Sequence, residues 1–132
     1  MLNFFSTHKV IFYLINTLLV ILYLYPGSLL GWIIYGNKDI QPQLTPDFII
    51  SSNHFYVFAL ISIIGFFTFT NLKKKNSFLI IYLIFLSIIL EIFHLVIPER
   101  SFQWSDLFGN LSGVIVVILF NKFINKYGSF KK

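Results

Sequence analysis

Ionisable and amide side chains interrupt two apolar runs in the C-terminal half of the chain, in a spacing that can support chemistry. The stretch EIFHLVIPERSFQWSDLFGNLSG, residues 91–113, carries an acid and a histidine three residues apart, then an arginine, and then an aspartate and an asparagine four residues apart. Carboxylates and imidazoles transfer protons or bind metal ions, and a guanidinium binds phosphate or carboxylate through two parallel hydrogen bonds. The candidate residues, with a second imidazole further upstream, are His54, Glu91, His94, Arg100, Asp106 and Asn110.

The composition of the chain indicates which elements must position these groups. Of 132 residues, 57% are hydrophobic, 20% are aromatic and only 11% are charged, and the mean hydropathy is +0.81. These values are typical of an integral membrane protein, and spans of about 20 residues leave room for one helical unit without a separate soluble domain. The absence of cysteine excludes disulfides, thiolate chemistry and cysteine-ligated metal.

Four apolar runs predict an all-α, four-helix transmembrane bundle that forms a single domain over residues 1–132. Pro26-Gly27 ends the first run, the order Thr45-Pro46-Asp47 suits a helix N-cap and first turn, and Pro98 closes the third run. A cleaved signal peptide is the alternative for the first run, but no A-x-A-like site follows it. The predicted spans are about 8–25, 47–70, 77–97 and 105–123.

Basic residues near the ends of these spans predict the orientation of the bundle. In a four-span arrangement, one side carries two cations, Lys38 and Arg100, together with four acids. Because cytoplasmic segments are enriched in lysine and arginine, the other side is predicted to be cytoplasmic, with both termini, and the protein to lie in the plasma membrane. The net charge of +5 then follows from topology and does not indicate nucleic-acid binding. The predicted cytoplasmic side carries eight lysines and no acid, at Lys9, Lys73, Lys74, Lys75, Lys122, Lys126, Lys131 and Lys132.

This topology places the polar side chains at one membrane depth, toward the outside. His54 lies about two turns into the second span, and Glu91 lies about 10 Å below the end of the third. Asp106, Asn110 and Gly113, at spacings i, i+4 and i+7, form one stripe on the fourth span. A carboxylate that faced lipid at this depth would cost about 2.5–3.5 kcal/mol, so Glu91 is expected to face inward. Its candidate partners are His94, His54 and Arg100.

The pattern E-x-x-H-x-x-x-P-x-R-x-x-x-x-x-D-x-x-x-N-x-x-G over residues 91–113 resembles the characteristic motif of the VanZ-like family of small bacterial membrane proteins. In that family, glutamine is usual where this chain has His94. The His54-Phe55 pair is similar to a second family motif, D-K-x-x-H-F, although Ile50 and Ser51 replace its acid and its lysine. The residues that match the first motif are Glu91, Pro98, Arg100, Asp106, Asn110 and Gly113.

The resemblance, which covers roughly residues 47–120, implies a multi-pass bacterial plasma-membrane protein of the cell envelope. The founding member of the family is associated with low-level resistance to teicoplanin, a lipoglycopeptide that targets cell-wall precursors. We therefore expect an outward-facing polar pocket whose partners are membrane lipid headgroups, a lipid-linked cell-wall precursor or a lipoglycopeptide. Arg100 would bind the anionic group as a two-pronged donor, and Glu91 and Asp106 would orient Arg100 or lie on either side of the ligand.

Three other interpretations of the same residues remain open. The polar groups can form a structural clasp between the third and fourth spans, with Gly113 allowing close packing. A membrane enzyme could use His54, Glu91 or His94 as acid or base on a lipid-linked substrate, although the chain has no nucleophile motif, glycine-rich phosphate loop or glycosidase-like carboxylate pair. A zinc site of both histidines with Glu91 and Asp106 would draw on three helices and lacks an H-E-x-x-H motif, so we expect no metal and no cofactor.

The charge asymmetry predicts which loops an impermeant thiol reagent can reach. Because the wild-type chain has no cysteine, single substitutions Ile40→Cys, Lys74→Cys, Phe102→Cys and Phe130→Cys each report one position in whole cells. We expect positions 40 and 102 to be labelled from outside, and positions 74 and 130 to be labelled only after the membrane is permeabilised. Labelling of position 74 in intact cells would contradict the orientation.

Overall fold

The computed structural model describes residues 4–69 and 73–127, and in these ranges it contains five α-helices and no strand. The prediction of an all-α chain is confirmed for these residues. Three of the helices, α3 to α5, are long and apolar enough to cross a membrane, and α1 and α2 add a fourth crossing if this bent pair is one span. The helices are α1 Phe4–Leu24, α2 Leu29–Tyr35, α3 Ser52–Phe69, α4 Lys73–Phe93 and α5 Trp104–Tyr127.

The span predicted at 8–25 corresponds to α1, and a short helix that the sequence did not predict, α2, follows it. A break at residues 25–28 turns α2 by 86° from the axis of α1. The hydroxyl oxygen of Ser28 accepts the Gly31 backbone N–H at 2.9 Å and so caps α2, while Gly36 ends the helix with a φ of 66°. A Cβ on Gly31 would overlap the Ile40 carbonyl, so the loop after α2 packs directly on its backbone.

The start of α3 differs from the predicted start at residue 47. Thr45-Pro46-Asp47 lies before the helix, and the carboxylate of Asp47 accepts hydrogen bonds from the backbone N–H of Ser52 at 2.8 Å and from its hydroxyl at 3.1 Å. Asp47 therefore caps the helix from five residues upstream and is not part of its first turn. The backbone N–H of Ser51 donates to the Ser105 carbonyl at 3.1 Å, which ties the start of α3 to the start of α5.

The end of α4 also differs from the predicted end at residue 97. The helix stops at Phe93, and residues 94–97 continue as tight turns in which Leu95 and Val96 donate to carbonyls three residues earlier, each at 3.0 Å. Pro98 disfavours helical backbone at the residue before it, so the helix tightens and ends upstream of the proline. His94 consequently lies one residue beyond α4 and not on a helical stripe.

Close packing of α3 against α5 holds the bundle together, because glycines let the two backbones approach. A Cβ on Gly109 would lie 2.6 Å from the Ser51 carbonyl oxygen, and a Cβ on Gly113 would overlap the Phe55 carbonyl. The apolar core beside this contact includes Phe58 and Val114, both fully buried. At one end of the bundle, which we call the polar end, α1 and α4 finish and α3 and α5 begin.

Replacing Gly113 by alanine should therefore lower the stability of the bundle. The added methyl would meet backbone atoms of α3, including the Ala59 nitrogen at 2.9 Å, and overpacking of this kind costs about 1–3 kcal/mol. Gly65→Ala is the matched control, since its methyl would meet the side-chain ends of Leu79 and Phe12 at 3.1 Å and should cost less than about 1 kcal/mol. Thermal unfolding in detergent measures both, and equal losses would contradict the packing account.

Candidate functional site

The polar end gathers ionisable and hydrogen-bonding side chains from four helices in the interior of the bundle. Tyr23 comes from the last turn of α1, His54 from the first turn of α3 and Glu91 from the last turn of α4. Asp106 and Asn110 come from the first two turns of α5. Glu91 and Asn110 are completely buried, His54 is 6% exposed, and the Asp106 side chain is 16% exposed. Only the interior of the bundle is available to satisfy these groups.

Three side chains from three helices form a closed hydrogen-bonded ring. The Tyr23 hydroxyl donates to Asn110 Oδ1 at 2.7 Å, and its oxygen lies 2.8 Å from His54 Nδ1. His54 Nδ1 is itself 3.0 Å from Asn110 Oδ1. The amide of Asn110 is anchored from the other side, because its Nδ2 donates to the Ser87 carbonyl of α4 at 3.1 Å. We call Tyr23, His54 and Asn110 the polar ring.

The polar ring fixes the tautomer of His54. A backbone carbonyl only accepts, so the bond to Ser87 fixes Asn110 with Oδ1 facing the ring. Since the single proton of Tyr23 goes to Asn110, the donor in the contact between His54 Nδ1 and Tyr23 must be the imidazole. Nδ1 therefore carries a proton, and in the neutral ring Nε2 has a free lone pair.

Glu91 and His94 form a second buried contact beside the polar ring. One carboxylate oxygen of Glu91, Oε1, accepts the backbone N–H of Gln103 at 2.9 Å, which joins α4 to the segment before α5. The other oxygen, Oε2, lies 3.3 Å from His94 Nδ1 but is not aligned for a hydrogen bond, and it accepts none from any described residue. His94 Nε2 donates to the Tyr23 carbonyl at 3.0 Å, and its ring stacks on Tyr23.

Asp106 completes a cluster of three potential ligands. Its Oδ2 lies 3.4 Å from His54 Nε2, and its Oδ1 accepts the Ser105 hydroxyl at 3.3 Å. One nitrogen of His54, one oxygen of Glu91 and one oxygen of Asp106 all lie within 4.8 Å of one another. Two carboxylates and an imidazole this close together can share a proton or hold a cation.

Arg100 does not pair with Glu91, which corrects one of the partners expected from sequence. Its Nε donates to the Tyr25 carbonyl at 3.2 Å and its Nη2 to the Leu22 carbonyl at 3.2 Å. These carbonyls belong to the end of α1, so the guanidinium caps the negative end of that helix. Burial lowers the pKa of Arg100, but a guanidinium remains charged in any protein environment.

A cavity of about 330 Å³ opens between α1, α2, the segment that follows α2, and α3. Arg100, His54 and His94 line it together with the apolar side chains of Leu22 and Val57. Asn53 and Gln43 add amide groups at the loop side of the cavity. The cavity therefore combines one fixed cation and two imidazoles with apolar walls, which is the usual composition of a site for a small amphiphilic ligand.

Outside the cavity, the polar end has an exposed ion pair between two loops. Lys38 Nζ lies 2.6 Å from the Glu99 carboxylate, with both side chains about half exposed. The hydrogen bond to Glu99 raises the pKa of Lys38. Glu99 has a φ of 63°, and its carboxylate would also lie 3.1 Å from a Cβ on Gly27. The pair connects the segment after α2 to the segment between α4 and α5.

The structure brings together most of the residues that the sequence singled out. His54, Glu91, His94, Asp106 and Asn110 meet in one buried cluster, while Arg100 lies beside it on the cavity wall. The sequence analysis missed Tyr23 and the backbone groups of Ser87 and Gln103. A tyrosine near the end of an apolar run is common at membrane interfaces, so its type and position gave no signal of a buried role.

Comparisons of the chain with protein-family profiles, with curated proteins and with solved structures find no match.

Breaking the polar ring should destabilise the bundle. Asn110→Leu keeps the approximate volume but leaves the Tyr23 hydroxyl and His54 Nδ1 without their shared acceptor, which should cost about 1–3 kcal/mol. Asn125→Leu, further along α5, removes only an exposed bond to Asn121 and should change stability by less than about 0.5 kcal/mol. Thermal unfolding of both variants in the same detergent tests this, and an Asn110→Leu protein as stable as the control would contradict it.

Proposed function

We propose that this protein is a multi-pass protein of the bacterial plasma membrane that binds an anionic amphiphile at its polar end. The ligand class comprises a lipid headgroup, a lipid-linked cell-wall precursor and a lipoglycopeptide, which share a phosphate or carboxylate joined to an apolar part. The observation that carries the proposal is the cavity in which a guanidinium lies among apolar side chains. Three helices are long and apolar enough to cross a membrane, or four if the bent pair α1 and α2 is one span. This number supports a multi-pass arrangement.

Arg100 is held in a way that leaves part of its donor capacity for a ligand. Its bonds to the carbonyls of Tyr25 and Leu22 use two of the five guanidinium N–H groups. No other hydrogen bond joins the guanidinium to the part of the chain that the structure describes, and the side chain lines the cavity. The two carbonyls hold the planar group in place, so a phosphate or carboxylate in the cavity can accept the remaining N–H groups without reordering the arginine.

The remaining walls suit the apolar part of such a ligand. Leu19, Leu22, Leu30, Ile34 and Val57 line the cavity and provide its apolar surface. Glu91 and Asp106 do not line it, and each has a cavity-lining histidine as its neighbour. An anionic group beside Arg100 therefore meets imidazole rings before it meets the carboxylates, which limits repulsion between like charges.

The resemblance to the VanZ-like family supports the ligand class. Glu91, Arg100, Asp106 and Asn110 are the polar positions of the matching motif, and all four lie at the polar end. Family members are implied to act at the cell envelope, where anionic lipids, lipid-linked precursors and lipoglycopeptides are found. We propose the same setting for this chain, including a contribution to teicoplanin resistance or to envelope homeostasis.

Lipid binding to purified protein tests the proposal, with Arg100→Lys as the informative variant. Native mass spectrometry in detergent compares a phosphatidylglycerol with a phosphatidylcholine of the same chain length, and then a polyprenyl diphosphate and teicoplanin. We expect a preference for an anionic ligand on the order of tenfold, which Arg100→Lys abolishes because lysine keeps the charge but loses the planar fork. The ligand that binds most tightly identifies the source of the anionic group.

Two further variants separate a specific site from general attraction. Lys38→Gln removes an exposed cation at the same end that does not line the cavity, and it should leave the preference intact. Val57→Trp fills the apolar wall without touching a charge, and it should weaken all ligands together. The proposal is contradicted if Lys38→Gln and Arg100→Lys lose the preference for anionic ligands equally. It is also contradicted if the wild type binds anionic and zwitterionic lipid equally.

A further inference from the structure

We propose that His54, Glu91 and Asp106 bind one divalent metal ion of the zinc class at the polar end. One ligand atom from each residue lies within 4.8 Å of the other two, and the three side chains come from α3, α4 and α5. Facing helices of a bundle are a common source of such ligand sets. Glu91 and Asp106 do not line the cavity of the proposed amphiphile site, whereas His54 lines it and is shared by the two sites.

His54 presents the correct nitrogen for coordination. The polar ring places the proton on Nδ1, which leaves Nε2 as the free lone pair on the side of Asp106. Metal-binding histidines are normally held in this manner, with the second ring N–H donated to an oxygen that fixes the tautomer and the ring plane. Asn110 and Tyr23 supply those oxygens here.

Glu91 keeps one carboxylate oxygen without a hydrogen bond from the described residues, and Asp106 presents one oxygen to His54 Nε2. Glu91 Oε1 accepts the Gln103 N–H, while Oε2 is completely buried and accepts no hydrogen bond from the described residues. Asp106 Oδ1 accepts the Ser105 hydroxyl, while Oδ2 lies 3.4 Å from His54 Nε2. That separation matches two ligands of a tetrahedral zinc ion, whose bonds of about 2.0–2.1 Å place neighbouring ligand atoms about 3.4 Å apart.

A bound cation would also provide a partner for Glu91 Oε2, which accepts no hydrogen bond from the described residues. A buried carboxylate oxygen without a donor is costly. His94 is the nearest donor candidate, but its Nε2 donates to the Tyr23 carbonyl, and its Nδ1 lies 3.3 Å from Glu91 Oε2 without forming a hydrogen bond. One divalent ion would satisfy Glu91 Oε2, Asp106 Oδ2 and His54 Nε2 together.

The sequence-based arguments against a metal do not apply to this set. An H-E-x-x-H motif places two ligands on one helix, whereas here each helix provides one ligand. The glutamine usual at position 94 in the VanZ-like family is no objection, because His94 is not in the set. One imidazole and two carboxylates suit zinc or manganese and do not suit a metal that requires thiolates.

Titration of chelator-treated protein in detergent with zinc or manganese tests the site directly. Calorimetry should show one ion per chain, and His54→Gln, Glu91→Gln and Asp106→Asn should each weaken binding on the order of 10²-fold or more. Glu91→Gln and Asp106→Asn keep the shape of the replaced side chain. Thermal unfolding without metal shows whether these variants fold. Zinc should raise the unfolding temperature of the wild type and not that of folded variants.

Two matched controls distinguish this site from adventitious binding. His8→Gln removes a histidine that is not in the proposed ligand set, and Asp39→Asn removes an exposed acid. Each should keep the affinity within about threefold. The proposal is overturned if the wild type shows no saturable binding, or if any control loses as much affinity as His54→Gln. If the protein prefers anionic lipid but takes up no metal ion, the proposed function stands and the metal site is rejected.

Discussion

The hydrogen bond from the Asn110 side chain to the Ser87 carbonyl is the constraint on which the polar end depends. It links α5 to α4 and fixes which face of the amide meets Tyr23 and His54. Through this single side chain, α1, α3, α4 and α5 meet at one point. Hydrogen bonds in a buried, low-dielectric interior strengthen one another, and an unpaired group there is correspondingly costly. The arrangement is therefore specific as well as stabilising.

The same constraint determines what chemistry the cluster can perform. Because the polar ring occupies His54 Nδ1, Nε2 of the same imidazole faces the Asp106 carboxylate. Glu91 Oε2 accepts no hydrogen bond from the described residues. A bound divalent ion would add positive charge beside the cavity that Arg100 and His54 line, which favours an anionic ligand there. The two proposals are therefore linked through His54, which belongs to both sites.

The sequence predicted the helical class and the helices that now carry the polar residues, because long apolar runs and the positions of charges follow directly from the cost of burying polar groups in lipid. Helix ends were less predictable. Asp47 caps α3 from outside the helix, and Pro98 shortens α4 from a distance, so neither marks the boundary that its type suggests. The 86° bend before α2 lies at residues 25–28, where Pro26-Gly27 ends the first apolar run.

Within the site, the sequence spacing predicted which residues lie near one another better than it predicted which of them form pairs. Glu91, Asp106 and His54 come together as their helical positions suggest, but Arg100 binds the carbonyl groups at the end of α1 and no carboxylate. Sequence spacing cannot distinguish these partners, because backbone carbonyls are present at every position. Tyr23 was missed for a related reason, since a hydroxyl in an apolar run is equally compatible with an interfacial and a buried role.

The protonation of His54 is the most direct test of this account, because every inference about the cluster depends on it. Nuclear magnetic resonance of protein with isotope-labelled histidine, in detergent, at neutral pH and without metal, reads the state of each ring nitrogen, and His54→Gln identifies the resonances. The account predicts a neutral imidazole with the proton on Nδ1 and a free lone pair on Nε2. A proton on Nε2, in either the neutral or the cationic form, would contradict it.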